Sequence, residues 1–328
     1  MRTFVLMLAT LVCTAGVAGA PPTSLRIGAR VSAGKHPAGI AVADGLLWVT
    51  NDVDNTVAPI DPTTATAGPL IHLGGGGFPD PRLVASGGGT VWVAAPTTGT
   101  ISRIDTSTSK VTATLTVPES AGGLALDGGS LWVTSFDPYR CSGNRCFGRL
   151  TQFDVRSARV IGRFDVRTPV GIAVGFGSLW IVDHRGMALM RFDPRTRKTV
   201  ARISVRLGRE GTFDGPELDA VGFGSVWVSH PSQDSVVRVD PRTNKIVARI
   251  RFPHGATPVS FAVGAGSIWV LGPKRVFRID PAINHIVDSI AVGKHSDSDY
   301  RGLRSLVVVG NSLWVTDGDA DTVDRIDF

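Results

Sequence analysis

Asp183, His184 and His230 close two successive copies of one phrase, GFGSLWIVDH (175–184) and GFGSVWVSH (222–230), and Glu217 and Asp219 stand between them. Two imidazoles with carboxylates at hand could serve general acid–base catalysis or hold a metal. His230, His184 and Glu217 are the catalytic candidates. No HxH or HxxxH spacing supports a metal, so none is expected; Asp183, Glu217 and Asp219 would be its ligands if one were bound. No other cofactor is expected.

Whether these side chains meet depends on the elements that carry them. All seven tryptophans sit in versions of the same phrase, at 48, 92, 132, 180, 227, 269 and 314, 40 to 48 residues apart. A period of that size marks one supersecondary unit repeated. Each unit reads as a short apolar strand (GIAVG, 171–175), a tight Gly turn, the tryptophan strand, a third strand ending in a phrase like RIDP, and a fourth such as KIVARIRF (245–252). Four strands per repeat describe a propeller blade. The chain stops at Asp327-Phe328, where a fourth strand is due, while LRIGARVSAG (25–34) has no blade of its own. The sequence therefore predicts an all-β, seven-bladed β-propeller of four-stranded blades. An N-terminal closing strand (24–34) completes the last blade. The blades span 36–80, 81–120, 121–169, 170–217, 218–258, 259–302 and 303–328, within a domain over 21–328.

One tryptophan per blade is expected to pack between neighbouring sheets. Asp61, Asp105, Asp154, Asp193, Asp240, Asp280 and Asp327 end the third strands and read as turn residues that bond their own backbone, not as a carboxylate array. The other two loop classes vary in length and share the opposite face. They carry His36, His184, His230, His254 and His295, with Glu119, Glu210, Asp214, Glu217, Asp297 and Asp299. Variable polar loops on a rigid frame are where function is usually found.

Alignment on the tryptophans exposes departures from the repeat. Eight residues before them lie Ile40, Val84, Leu124, Ile172, Asp219, Phe261 and Leu306; ten before lie Ala38, Arg82, Gly122, Val170, Glu217, Val259 and Arg304. Residues two apart share a strand face, so Glu217 and Asp219 belong together on an innermost strand, level with Arg82 and Arg304. Three residues after the tryptophans lie Asn51, Ala95, Ser135, Asp183, His230, Gly272 and Asp317. The charged set Arg82, Asp183, His184, Glu217, Asp219, His230 and Arg304 reads either as a salt-bridge ring at the channel mouth or as a ligand site.

Residues 1–20 read as a cleavable secretory signal: Arg2, an apolar run from Phe4 to Val17, then Ala18-Gly19-Ala20. The mature protein is expected to be secreted or extracytoplasmic, in periplasm or cell wall, with no transmembrane segment. Cleavage removes Cys13 and leaves Cys141 and Cys146, in a nine-residue excess of blade three. An even pair in an exported chain favours a disulfide, with free thiols and a metal site as the alternatives. The net charge of +6 comes from arginines scattered beside turns, with no basic run, which argues against nucleic acid.

The phrases GSLWVT, TVDRIDF, VVRVDPRTNKIVARI and PVGIAVG resemble the YVTN/NHL-like secreted propellers, a group that includes the streptogramin (virginiamycin B) lyases. The resemblance covers residues 24–328. It implies either a monomeric binding propeller for a protein, peptide or glycan, or a carbon–oxygen lyase of the virginiamycin B lyase type. A lyase would use His and Glu with a divalent cation, Mg or Ca; a lactonase with a central calcium is a further enzyme reading. Blades of the lyases often carry Trp-Phe-Thr-Glu followed closely by His. Here no Glu stands third after any tryptophan, and Asp183-His184 and His230 are the nearest stand-ins.

Overall fold

The computed structural model describes residues 24–74, 80–142, 145–207, 215–217, 219–293 and 303–328, and only the backbone at 138–142, 145–146, 219 and 303–304. Residues 1–20, together with Glu210, Asp214, His295, Asp297 and Asp299, lie outside the described residues.

The chain forms seven antiparallel sheets. Blade 1 comprises Pro37–Ala43, Leu46–Asn51 and Thr56–Asp61, with its outer edge split into the short strands Thr66–Ala67 and Ile71–His72. Blades 2 and 3 begin at Leu83–Gly87 and Ser120–Asp127, and blades 4, 5 and 6 at Pro169–Gly175, Asp219–Gly222 and Ser260–Gly264. Blade 7 has Leu303–Val309, Ser312–Asp317 and Thr322–Asp327, and its fourth strand is the N-terminal Arg26–Ser32, paired antiparallel with Thr322–Asp327. This is the expected closure. The first strands of successive blades pack against one another around the ring and so line its axis.

The core is seven wedges between blades. Trp180, with Val182 and Leu189 of blade 4, packs on Val226, Val228, Val237 and Val239 of blade 5. Trp227 repeats the contact on blade 6, and Trp314 seals blade 7 onto Ile40, Leu47 and Val49 of blade 1. The tryptophan strands are buried along their whole length because sheets cover both their faces; Ser178–Asp183 has no exposed residue. The outer strands alternate exposed and covered residues, as at Lys245–Arg251.

Two turn designs hold the face away from the variable loops. Between first and second strands, pairs such as Phe176-Gly177 and Phe223-Gly224 both have positive φ (53° and 67°; 49° and 71°), the backbone of a type I′ hairpin. After the third strands, Asp193 Oδ1 accepts from the amides of Arg195 and Thr196, and Asp240 likewise from Arg242. These bonds hold both carboxyls below the usual carboxylate range, chiefly through the Thr196 hydroxyl for Asp193 and the Arg242 amide for Asp240.

The arginines of the third strands do more than solvate turns. Arg191 and Arg238 lie over the rings of Trp180 and Trp227, 5.2 and 5.0 Å from their centroids. Each then reaches the next blade, donating to the carbonyl of Pro241 at 2.7 Å or of Pro281 at 2.5 Å. These arginines are thus part of the inter-blade joint.

Candidate functional site

His230 ends the tryptophan strand of blade 5, wholly buried between blades. Neither ring nitrogen makes a hydrogen bond of normal geometry, and the nearby Val205 carbonyl offsets this only in part. Burial, then the charges of Arg249 and His184, push its pKa down to about 4. It is a neutral wedge residue, closed to a substrate.

Asp183 occupies the equivalent position in blade 4 and is also fully buried. Its Oδ1 accepts from the Gly186 amide at 3.0 Å, and its Oδ2 lies 2.7 Å from the Arg202 guanidinium, off the hydrogen-bond direction. The carboxylate is neutralised within its own blade.

His184, the next residue, turns the other way. Its Nδ1 lies 3.0 Å from the carbonyl of Pro216, at the entrance to blade 5. That carbonyl can only accept, so Nδ1 carries the proton and in the neutral ring Nε2 is left as acceptor. Glu217 follows Pro216 directly, with its amide bonded to the Ser229 carbonyl at 3.2 Å. Its side chain is open to solvent yet has enough protein around it that burial raises its pKa, opposed by His184.

The structure therefore brings His184, Glu217 and His230 within electrostatic reach at the joint of blades 4 and 5. Asp183 is diverted to Arg202. Asp219 begins the inner strand of blade 5, its Cα opposite Val228, and Arg304 lies on the inner strand of blade 7. The side chains of both are outside the described residues.

Arg82 belongs to a separate array. Its guanidinium pairs with Asp80 and lies 3.5 Å from Asp52. Asp52 in turn sits 2.6 Å from His36 Nδ1, while Asp321 of blade 7 binds Lys35 Nζ at 2.7 Å and the His36 amide at 2.8 Å. This chain of alternating charge runs across blades 7, 1 and 2. The sequence marked Arg82 and His36, whereas Asp52 and Asp321 went unnoticed. Their signal was position, in the second-to-third strand loops NDVDN and DGDAD. Glu119 is likewise engaged, by Arg149 at 3.1 Å.

Among the described residues the side chains do not assemble a divalent-cation site, and the Asp219 side chain lies outside them. Among the described residues no three His, Cys, Asp or Glu side chains converge to hold one. Asp183 faces an arginine and His230 is sealed, which leaves, among the described side chains of the candidate set, Glu217 beside the His184 imidazole.

In blade 3 the extra residues prolong the second and third strands into a hairpin, Ser130–Ser142 with Arg145–Asp154. Its backbone register sets Cys141 opposite Cys146.

No protein-family model and no curated protein matches the chain. Among solved structures, it is similar to virginiamycin B lyase from Staphylococcus aureus, with a TM-score of 0.75 at 16% identity over 93% of this chain and 100% of that one. A streptogramin B lyase structure gives a TM-score of 0.72 at 15% identity, over 89% and 93%. At such identities the likeness is one of fold. Among the described residues no helix is long and apolar enough to cross a membrane.

Proposed function

We propose that the chain is a monomeric, extracytoplasmic binding propeller that presents its loop-rich face to a protein, peptide or glycan. The contact centres on the channel mouth around Glu217 and His184. One observation carries this reading: among the described residues His36, Glu119 and Asp183 are consumed in ion pairs, while Glu217 has a solvent-open carboxyl in surroundings that penalise its charge. A group held at a cost with no ion-pair partner among the described residues is a functional candidate. Its acceptor oxygens, with an acceptor nitrogen on His184, suit a ligand rich in donors, such as sugar hydroxyls or amides. A Cys141–Cys146 disulfide, stiffening the blade-3 hairpin beside that face, belongs to the same proposal.

The alternative is a lyase-like enzyme with its site at the same mouth. Its support is the resemblance of fold to two streptogramin lyases and the adjacency of a carboxyl to an imidazole. The poor fit of the residues to a divalent cation weighs against it.

Arrays of glycans and peptides probed with the wild type, Glu217→Gln and His184→Gln test the reading. The expected result is selective binding by the wild type, weakened at least tenfold in both variants with no loss of melting temperature. Binding that survives both substitutions would remove the mouth as its location.

A further inference from the structure

A second cleft lies away from the axis, on the loop-rich side of blade 6. It has a volume of about 400 Å³, in the range of small-molecule sites. Its walls come from the connection entering blade 6 (Pro253, His254, Ala256) and from the turn and third strand beyond the tryptophan (Pro273, Lys274, Arg275, Phe277). Phe277 is buried and meets Phe252 edge-to-face, with centroids 5.1 Å apart, so the floor is fixed and apolar.

The rim has one sign of charge. Lys274 and Arg275 are exposed, and His254 projects fully into solvent. Among the described residues no carboxylate lines the cleft. Asp234, close by, spends its oxygens on the amides of Gly255 and Thr257, both at 2.8 Å, and stands 3.4 Å from His254. Arg275 is steadied by Ser289, whose hydroxyl and carbonyl accept from it at 2.9 and 3.4 Å. Lys274 makes no ion pair or side-chain hydrogen bond among the described residues.

We infer that this cleft binds a small organic anion: a carboxylate on a compact apolar body, with the ring or chain between Pro253, Pro273 and Phe277 and the anionic group on Lys274 and Arg275. It is independent of the mouth at Glu217, and its ligand has the opposite polarity.

The test is a fluorine NMR titration with 4-fluorobenzoate, using 4-fluorobenzamide as the neutral isostere and inorganic phosphate as an anionic competitor without an apolar body. Saturable binding of the benzoate is expected at millimolar concentration or below. The benzamide should bind at least fivefold more weakly, and phosphate should compete poorly. Lys274→Met and Arg275→Gln should each weaken the benzoate about fivefold or more without changing the melting temperature. Glu217→Gln should leave it unchanged, which separates this site from the mouth. Equal binding of benzamide, competition by phosphate as strong as the benzoate's own, or indifference to both substitutions would overturn the assignment.

Discussion

Burial disfavours the charged form of two residues at one joint, with opposite effects on the pH dependence of stability. His230 is held neutral, with its pKa lowered from 6.5 to about 4. The unfolded chain gains a proton there below pH 6.5 that the folded chain refuses until about pH 4. Its contribution to stability is complete above pH 6.5 and is lost as pH falls through that window, by up to roughly 3 kcal/mol. Urea unfolding between pH 7 and 4 should show this decline, and His230→Leu should flatten it. Glu217 has a raised pKa, so the folded chain binds its proton more readily than the unfolded chain. Stability therefore falls as pH rises above the ordinary carboxyl value, because the ionised form is a cost to the folded chain. Glu217→Gln should raise the melting temperature at neutral pH, on the order of 1 °C given its exposure, while weakening ligand binding. A fall instead would make Glu217 a structural residue.

The elements that decide integrity are the joints between blades. Closure depends on one strand, Arg26–Ser32, and on the link from it to blade 1. Asn51 donates to the Ala33 carbonyl at 2.6 Å, and the Asp321–Lys35 and Asp52–His36 pairs continue the seam. The Asp52 side chain is almost fully buried, so Asp52→Asn leaves His36 without its carboxylate and Arg82 with Asp80 alone. A loss of about 1–3 kcal/mol is expected. Limited proteolysis should then cut the link near residues 33–36 before any other blade opens; an unchanged cleavage pattern would show that the strand ladder alone closes the ring.

Across the whole molecule, legibility in the sequence followed repetition. The tryptophan phrase, the type I′ turns and the Asp-Pro turns recur because every blade meets the same packing problem, so strand order, closure and inter-blade burial could be read off directly. Arg191 and Arg238 recur too, but their stacking on tryptophan spans two blades and cannot be read within a single repeat. The site was legible only as a list of departures. Asp183 and His184 are neighbours in sequence, yet one turns to Arg202 and the other to Pro216, a division set by loop geometry that spacing does not encode. The basic cleft of blade 6 escaped notice because its residues deviate from no repeat position; they form a site only through the fold of two loops.

The central claim is that the mouth binds a ligand without a metal. Metal content by plasma mass spectrometry, after equilibration with Mg²⁺ and Ca²⁺ and removal of free ions, tests it most directly. The account predicts far less than one divalent ion per chain, equal in wild type and Glu217→Gln. A stoichiometric ion in the wild type that is lost in Glu217→Gln would contradict it and restore the enzyme reading.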